Sequence, residues 1–213
     1  MSVKVFVLGR PGSGKSTGAR YIRHLVQQAG WNSLHCNDYP ILKEMFLADR
    51  EHKKFRPTEH NGFDAIDLSV LDSALQELES TVNRLSATAD MVTIEFARDD
   101  YRTALQQFSP AFLHDAHILF LHADLDTCLQ RVHERVACSL SSDDHPSFSD
   151  AIFKRYYAND ASSYIANSLR EEFGISREVC VINNMGALNQ FQYELEQFIQ
   201  GVLLHNEALS LTA

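Results

Sequence analysis

The sequence predicts an α/β fold in which a five-stranded parallel sheet carries helices on both faces. The first observation is that short apolar runs alternate with longer segments whose apolar residues recur at helical spacing. The second is the length of 213 residues, which suits a single domain. The third is a glycine-rich turn between the first strand and the first helix. Strands that are joined through helices pair in parallel, and the helices then cover both faces of the sheet.

Five apolar runs are predicted to be the strands, at residues 3–8, 33–37, 91–96, 118–121 and 178–182. Helices are predicted at 16–29, from residue 41, from about 64 to 85, at 124–137, over most of 153–173 and at 187–204. A polar loop is predicted at 52–62. Ligands of such sheets bind at the carboxyl ends of the strands, so the residues that directly follow each strand are the candidate site.

The turn after the first strand matches the motif G-x-x-x-x-G-K-[ST], with the residues Gly9, Arg10, Pro11, Gly12, Ser13, Gly14, Lys15, Ser16 and Thr17. The glycines let the backbone curl so that its N–H groups converge on phosphate oxygens. Lys15 is placed to reach the β- and γ-phosphates of a nucleotide, and the Ser16 hydroxyl to bind Mg²⁺. A chance glycine-rich turn is the alternative, which the order of strand, turn and helix disfavours.

Three charged residues follow the second and third strands. Asp38 is placed to orient an attacking hydroxyl or accept its proton, or else to cap the helix that follows. Glu95 suits a carboxylate that binds Mg²⁺ directly or through water, or else it is a surface glutamate on an edge strand. Arg98 is placed to hold an acceptor anion through two hydrogen bonds, or else it pairs with Asp99 or Asp100.

Two further candidates lie later in the chain. Arg131 and Arg135 are one helical turn apart and precede a polar segment at 138–150, so they are placed to close over a transferring phosphoryl group. The alternative is a solvated helix face. Asn183 begins a turn after the fifth strand whose backbone is placed to recognise an adenine ring, and the alternative there is an ordinary turn.

The composition disfavours nucleic acids and membranes as partners. The net charge of −9 disfavours a long nucleic acid or a membrane surface as a partner. The four cysteines form no C-x-x-C pair, so we expect reduced thiols. The sequence shows neither a signal peptide nor an apolar stretch of membrane-spanning length, so we expect a cytoplasmic location. None of the ten histidines is expected to bind a metal. The sequence leaves the oligomeric state open, a dimer included.

In the order of these motifs the chain resembles the P-loop kinases of the nucleoside and nucleotide monophosphate kinase type. The resemblance runs from Gly9–Thr17 through Asp38, Glu95 and Arg98 to the paired arginines and residues 181–184. It implies the three-layer P-loop NTPase sandwich with strand order 2-3-1-4-5 in one domain (1–213), an acceptor-binding helical insert at 39–88 and a lid at 131–160. The third strand lacks the Asp-Arg or Glu-Arg-Ser signature of thymidylate kinases and deoxynucleoside kinases, so the acceptor is not readable.

The resemblance implies an ATP- and Mg²⁺-dependent phosphotransferase that moves the γ-phosphate to a small acceptor, such as a nucleoside, a nucleotide or a related metabolite. Lys15, Arg131 and Arg135 would neutralise the developing charge, and Asp38 would orient the attacking oxygen. A regulatory ATPase or switch without an acceptor is the alternative; the insert and the arginines favour the kinase. The presence of Lys15, Ser16, Asp38 and Glu95 disfavours an inactive nucleotide-binding scaffold.

Overall fold

The structure is a computed structural model that describes residues 2–58, 62–138 and 149–210, with side chains to residue 206. Strands and helices alternate along most of the chain. In chain order they are β1 (Val3–Leu8), α1 (Lys15–Gln28), β2 (Ser33–Asn37), α2 (Tyr39–Ala48), β3 (Phe55–Pro57), β4 (Phe63–Ala65), α3 (Ser69–Leu85), a 3₁₀ turn (Ser86–Thr88), β5 (Met91–Phe96), α4 (Tyr101–Leu105), α5 (Pro110–His114), β6 (Ala116–His122), α6 (Leu125–Ala137), α7 (Asp150–Tyr156), α8 (Ser162–Asn167), α9 (Leu169–Glu172), β7 (Val179–Asn183) and α10 (Leu188–Ser210).

The main sheet has five parallel strands in the order β2-β5-β1-β6-β7. Counted among these five strands alone, this is the predicted order 2-3-1-4-5, which is confirmed. The register aligns the carboxyl ends of neighbouring strands, since Glu95 pairs with both Val7 and Asn37, and His122 pairs with Asn183. The turns that follow β1, β2, β5, β6 and β7 therefore meet along one edge of the sheet.

Helices cover both faces of the sheet, as predicted. On one face Phe6, Ile94 and Phe120 pack in a cluster with residues of α3, α4, α5 and α8. On the other face Val7 and Leu121 pack with residues of α1 and α10. The inner strands β1, β5 and β6 are buried on both faces and read as near-continuous apolar runs, which is why the sequence located them. Within the described residues, no helix is long and apolar enough to cross a membrane.

The insert between β2 and β5 differs from the prediction. The predicted polar loop at 52–62 is wrong, because β3 and β4 pair there as an antiparallel hairpin, with residues 59–61 outside the described part. The Phe55 side chain is fully buried between α2 and α3. The Phe63 ring stacks on the rings of Phe46, at a centroid distance of 4.9 Å, and Tyr39, at 5.8 Å. Aromatic packing therefore holds a hairpin whose strands are too short for their periodicity to be read.

Several helix bounds also differ. The helix predicted from 64 begins at Ser69, since residues 63–65 form β4 and the Ile66 side chain is half exposed. The helix predicted over 153–173 consists of three short helices, α7 to α9, and α4 and α5 were not predicted. Of the predicted lid at 131–160, residues 139–148 lie outside the described residues. The described remainder consists of most of α6, all of α7 and the turn after it.

Truncation of Phe55 should test the packing of the insert. Phe55→Ala removes a fully buried ring that contacts Phe46 and Phe63, so we expect the free energy of unfolding to fall by about 3–5 kcal/mol. Leu47→Ala on α2 is the matched control, because the Leu47 side chain is exposed. Urea denaturation followed by circular dichroism measures both variants. Equal stability of the two variants would contradict the packing described here.

Candidate active site

The turn between β1 and α1 forms a tight loop that other elements approach closely. Gly12 and Gly14 have φ angles of +84° and +99°, in the left-handed region. A Cβ atom on Gly12 would lie 2.2 Å from the backbone oxygen of Cys128, and one on Gly14 would lie 2.4 Å from Nδ2 of Asn184. Both positions therefore require glycine, for their backbone conformation and for the space around them.

Hydrogen bonds to the backbone of the loop hold its shape. The Ser13 N–H and the Lys15 ammonium both donate to the carbonyl oxygen of Arg10, at 3.1 Å and 3.0 Å. Nδ2 of Asn184 donates to the carbonyl oxygen of Ser13 at 2.8 Å, and the Gly9 N–H donates to the Tyr101 hydroxyl at 2.8 Å. Asn184 and Tyr101 hold the loop from outside it, and sequence reasoning missed both.

The Arg10 side chain ties the loop to distant parts of the chain. Its guanidinium donates to the carbonyl oxygens of Ala123 at 2.9 Å, Tyr157 at 3.0 Å and Asn159 at 2.7 Å. Arg10 was predicted to contact the nucleotide as part of the loop. In the structure its side chain binds protein carbonyl groups, so the predicted contact with a nucleotide could come only from its backbone.

Lys15 lies under the loop and beside two carboxylates. Its side chain is almost fully buried, and Nζ is 4.0 Å from Oε1 of Glu95. Burial lowers the pKa of the Lys15 ammonium, while Glu95 and Asp38 oppose that shift and Arg135 adds to it. Glu95, Asp38 and Arg135 are thus all close enough to Lys15 for their charges to affect its ammonium group.

Ser16 and Glu95 place a hydroxyl oxygen and a carboxylate side by side, next to Lys15. The Ser16 hydroxyl lies 3.1 Å from Oε1 and 3.2 Å from Oε2 of Glu95. Glu95 is on β5, which lies between β2 and β1, so the edge-strand alternative is wrong. Burial raises the pKa of Glu95, but His35, Lys15 and Ser16 outweigh it and hold that pKa below its ordinary value. A hydroxyl and an ionised carboxylate are ligands that Mg²⁺ prefers, so these residues fit that ion.

His35 buttresses Glu95 and was not among the predicted site residues. Its Nε2 is 3.4 Å from Oε2 of Glu95, and its Nδ1 is 3.0 Å from the Thr93 hydroxyl oxygen. That hydroxyl lies 3.2 Å from the carbonyl oxygen of Leu34, to which it donates. His35 and Thr93 are cross-strand partners on β2 and β5. The signal in the sequence was weak, because β2 also contains the polar residues Ser33 and Asn37 and His35 does not stand out among them.

Asp38 and Arg98 form a buried ion pair. Nη1 of Arg98 is 2.6 Å from Oδ2 of Asp38, and both side chains are at least nine-tenths buried. Asp38 makes no capping hydrogen bond to α2, so capping is not what its carboxylate does here. The Asn37 side chain instead accepts from the Tyr39 N–H at 3.1 Å.

The remaining Arg98 bonds also go to the protein. Nη1 donates to the carbonyl oxygen of Ala97 at 2.7 Å, and Nη2 donates to that of Leu71 at 2.9 Å. The alternative pairing with Asp99 or Asp100 is therefore replaced by the pair with Asp38. In this arrangement Arg98 holds Asp38 and joins β5 to α3. Its direct contact with an acceptor anion stays a prediction.

The paired arginines of α6 face the loop. Arg131 donates to the carbonyl oxygen of Asn184 at 3.0 Å and lies 3.4 Å from that of Gly12. Arg135 is near enough to Lys15 for its charge to lower the pKa of that ammonium. Neither arginine therefore lies on a purely solvated face of the helix.

Three predicted positions lie at the periphery of this arrangement. Asn183 is exposed at the end of β7, where its side chain accepts from the Met185 N–H at 3.2 Å. Thr17 is exposed on α1, and the Pro11 side chain is partly exposed. It is Asn184, one residue after Asn183, that contacts the loop.

The edge of the sheet thus assembles most of the predicted residues. The glycine-rich loop with its lysine, a hydroxyl–carboxylate pair and a second carboxylate fixed by an arginine lie together, with two more arginines on α6. Such a set can bind a polyphosphate with Mg²⁺ and present an oxygen base to a second substrate.

Comparison with known proteins bears out the fold. No protein-family model matches the chain, and no curated protein matches it in sequence. Among solved structures, it is similar to the shikimate kinase from Acinetobacter baumannii in complex with shikimate, with 13% identity, a TM-score of 0.52 and coverage of 97% of this chain and 95% of that chain. It is also similar to the Mycobacterium tuberculosis APS kinase CysC in complex with AMPPNP and APS, with 12% identity, a TM-score of 0.58 and coverage of 93% and 98%. The chain therefore has the fold of the P-loop kinases.

Alanine at two glycines with nearly the same φ angle should separate backbone strain from steric conflict. Gly30 has a φ angle of +82°, and nothing lies within 4 Å of a Cβ built on it. We expect Gly30→Ala to cost about 1–2 kcal/mol of stability. Gly12→Ala should cost more, because its Cβ would also clash with Cys128. Urea denaturation measures both free energies of unfolding, and an equal loss in the two variants would refute the close approach of α6 to the loop.

Proposed function

We propose that the protein is an ATP- and Mg²⁺-dependent phosphotransferase that moves the γ-phosphate to a small acceptor. The observation that carries the proposal is the second carboxylate. Asp38 is held by Arg98 on the same sheet edge as Lys15, Ser16 and Glu95. The structural relatives support it, since one was solved with shikimate and another with AMPPNP and APS.

Each residue of the edge has a role in this proposal. The loop from Gly9 to Thr17 binds the phosphates, and Lys15 reaches the β- and γ-phosphates in place of its present bond to Arg10. Ser16 and Glu95 would hold Mg²⁺, which would neutralise negative charge on the nucleotide phosphates. Arg131 and Arg135 stabilise the charge that develops on the transferred group.

The chemistry of Asp38 favours a hydroxyl as the attacking group. A carboxylate accepts a hydrogen bond from a hydroxyl and can take its proton, whereas it repels an anionic phosphate or carboxylate oxygen. In the step, the acceptor oxygen forms a bond to the γ-phosphorus, the bond to the β–γ bridging oxygen breaks and ADP leaves. The acceptor is then a nucleoside, a nucleotide or a related metabolite that reacts through a hydroxyl.

A panel of acceptors tests the proposal directly. ADP release from ATP and Mg²⁺ is measured with nucleosides, nucleotides, sugars and cofactor precursors, each with and without enzyme. We expect one hydroxyl-bearing class to raise the rate and to yield a phosphate ester, seen by ³¹P NMR. Lys15→Ala should abolish the stimulation. ATP hydrolysis that no acceptor changes would instead favour a regulatory ATPase or switch.

Substitution of Asp38 separates its chemical role from its structural one. Asp38→Asn removes the negative charge that pairs with Arg98 and leaves that arginine buried and unpaired. The free energy of unfolding should therefore fall by about 3–5 kcal/mol. Turnover should fall by about 10²–10⁴-fold. Both are measured, by urea denaturation and by initial rates with the acceptor that the panel identifies.

The double variant Asp38→Asn/Arg98→Met resolves the two effects. It removes the unpaired charge, so part of the stability should return while turnover stays low. Glu77→Gln on the exposed face of α3 is the control for loss of a carboxylate and should leave both quantities unchanged. Turnover at the wild-type rate in Asp38→Asn would show that the carboxylate has no part in the chemical step.

A further inference from the structure

The Glu95 carboxylate is in contact with side chains from both α1 and β2. On the α1 side, the Ser16 hydroxyl lies 3.1 Å from Oε1, and Nζ of Lys15 lies 4.0 Å from the same oxygen. On the β2 side, Nε2 of His35 lies 3.4 Å from Oε2. The proposed function assigns Ser16 to Mg²⁺ and Lys15 to the phosphates of the nucleotide. Of these three residues, His35 is the one that keeps its contact with Glu95 when the ligands bind.

His35 reaches Glu95 diagonally across two neighbouring strands. The register pairs His35 of β2 with Thr93 of β5, and Glu95 follows two residues later on the same face of the sheet. Val5 and Val7 of β1 pair with Thr93 and Glu95, and both valines pack against α1 on that face. The imidazole and the carboxylate therefore lie on the face that α1 covers, next to the residues with which α1 begins.

A chain of polar contacts fixes the imidazole ring of His35. Its Nδ1 lies 3.0 Å from the Thr93 hydroxyl oxygen, and that hydroxyl lies 3.2 Å from the carbonyl oxygen of Leu34. Thr93 is only 2% exposed, so water does not compete for its hydroxyl. The sheet thus holds one edge of the ring, and the other edge faces Glu95. Groups that orient a metal ligand in this way typically contribute about 10–100-fold to metal affinity.

We propose that His35 is a positioning residue for the metal site, an inference that rests on the proposed function. His35 holds Oε2 of Glu95 and leaves Oε1 for the ion. Oε1 is the oxygen that lies beside both Ser16 and Lys15, where the ion and the phosphates are proposed to meet. Without the imidazole, Glu95 keeps its charge but loses the contact that fixes its orientation. His35 itself touches neither the ion nor the nucleotide.

Binding of Mn²⁺ in place of Mg²⁺ tests the proposal without any acceptor. Mn²⁺ is titrated into a mixture of AMPPNP and excess protein, and free Mn²⁺ is measured by its EPR signal. We expect the dissociation constant of Mn²⁺ to rise by about tenfold or more in His35→Leu. His35→Gln should restore much of the affinity, because its amide can donate to Oε2. His24→Gln, on the exposed face of α1, is the matched control and should leave the constant unchanged.

A double-mutant cycle tests whether His35 acts through Glu95. Glu95→Gln removes the charge and should weaken Mn²⁺ binding at least as much as His35→Leu does. In the Glu95→Gln background, His35→Leu should have little further effect, since no carboxylate is left to position. Thr93→Val removes the hydroxyl beside Nδ1 and should weaken Mn²⁺ binding by less than His35→Leu. Thermal melting followed by circular dichroism checks that every variant is folded.

The results that would overturn the two proposals differ. Equal Mn²⁺ affinity in the wild type and in His35→Leu would overturn the role of His35 and leave the proposed phosphotransferase standing. Effects of His35→Leu and Glu95→Gln that simply add would also overturn it, because His35 would then act on the fold and not through the carboxylate. A wild-type protein that binds no Mn²⁺ together with AMPPNP would overturn the proposed function, and the inference on His35 with it.

Discussion

The candidate site depends on how closely two other elements approach the loop between β1 and α1. The backbone of α6 meets Gly12 at Cys128, and the turn after β7 meets Gly14 at Asn184, at distances that leave no room for a Cβ atom. These approaches bring Arg131 and Arg135 of α6 and the β7–α10 turn into the same space as Lys15. A side chain at Gly12 would push the backbone of α6 away, and Arg131 and Arg135 would move with it.

The candidate site also depends on buried charges that compensate one another at this edge of the sheet. Lys15 and Arg98 carry positive charge, and Glu95 and Asp38 carry negative charge, all with side chains mostly removed from water. A buried charge without a partner is strongly unfavourable, so each of these residues depends on the others. The protein's own charges therefore hold Glu95, Asp38 and Arg98 in place, and charges that are fixed in this way cost little reorganisation when a reaction occurs beside them.

The sequence predicted those parts of the fold and the site whose structure depends on neighbouring residues in the chain. The inner strands β1, β5 and β6 were found because burial on both faces makes them near-continuous apolar runs, and the loop between β1 and α1 because its glycines are required by its own backbone. The hairpin at Phe55 and Phe63 was missed, since three-residue strands show no readable period. Asp38 and Arg98 are 60 residues apart in the chain, so no local signal could show that they pair. The contact of Asn184 with the loop was missed because it depends on where β7 ends, and the role of Asn183 in nucleotide binding stays a prediction.

The bonds of Arg10 bear on the order in which the chain acquires its structure. Its three carbonyl partners lie 113, 147 and 149 residues further along the sequence. Closing contacts of such separation carries a large entropic cost, which is met only when the intervening elements are in place. During synthesis from the N-terminus, β1 and α1 leave the ribosome long before Tyr157 and Asn159 do. The phosphate loop, although encoded near the start of the chain, thus reaches its final shape only late in folding.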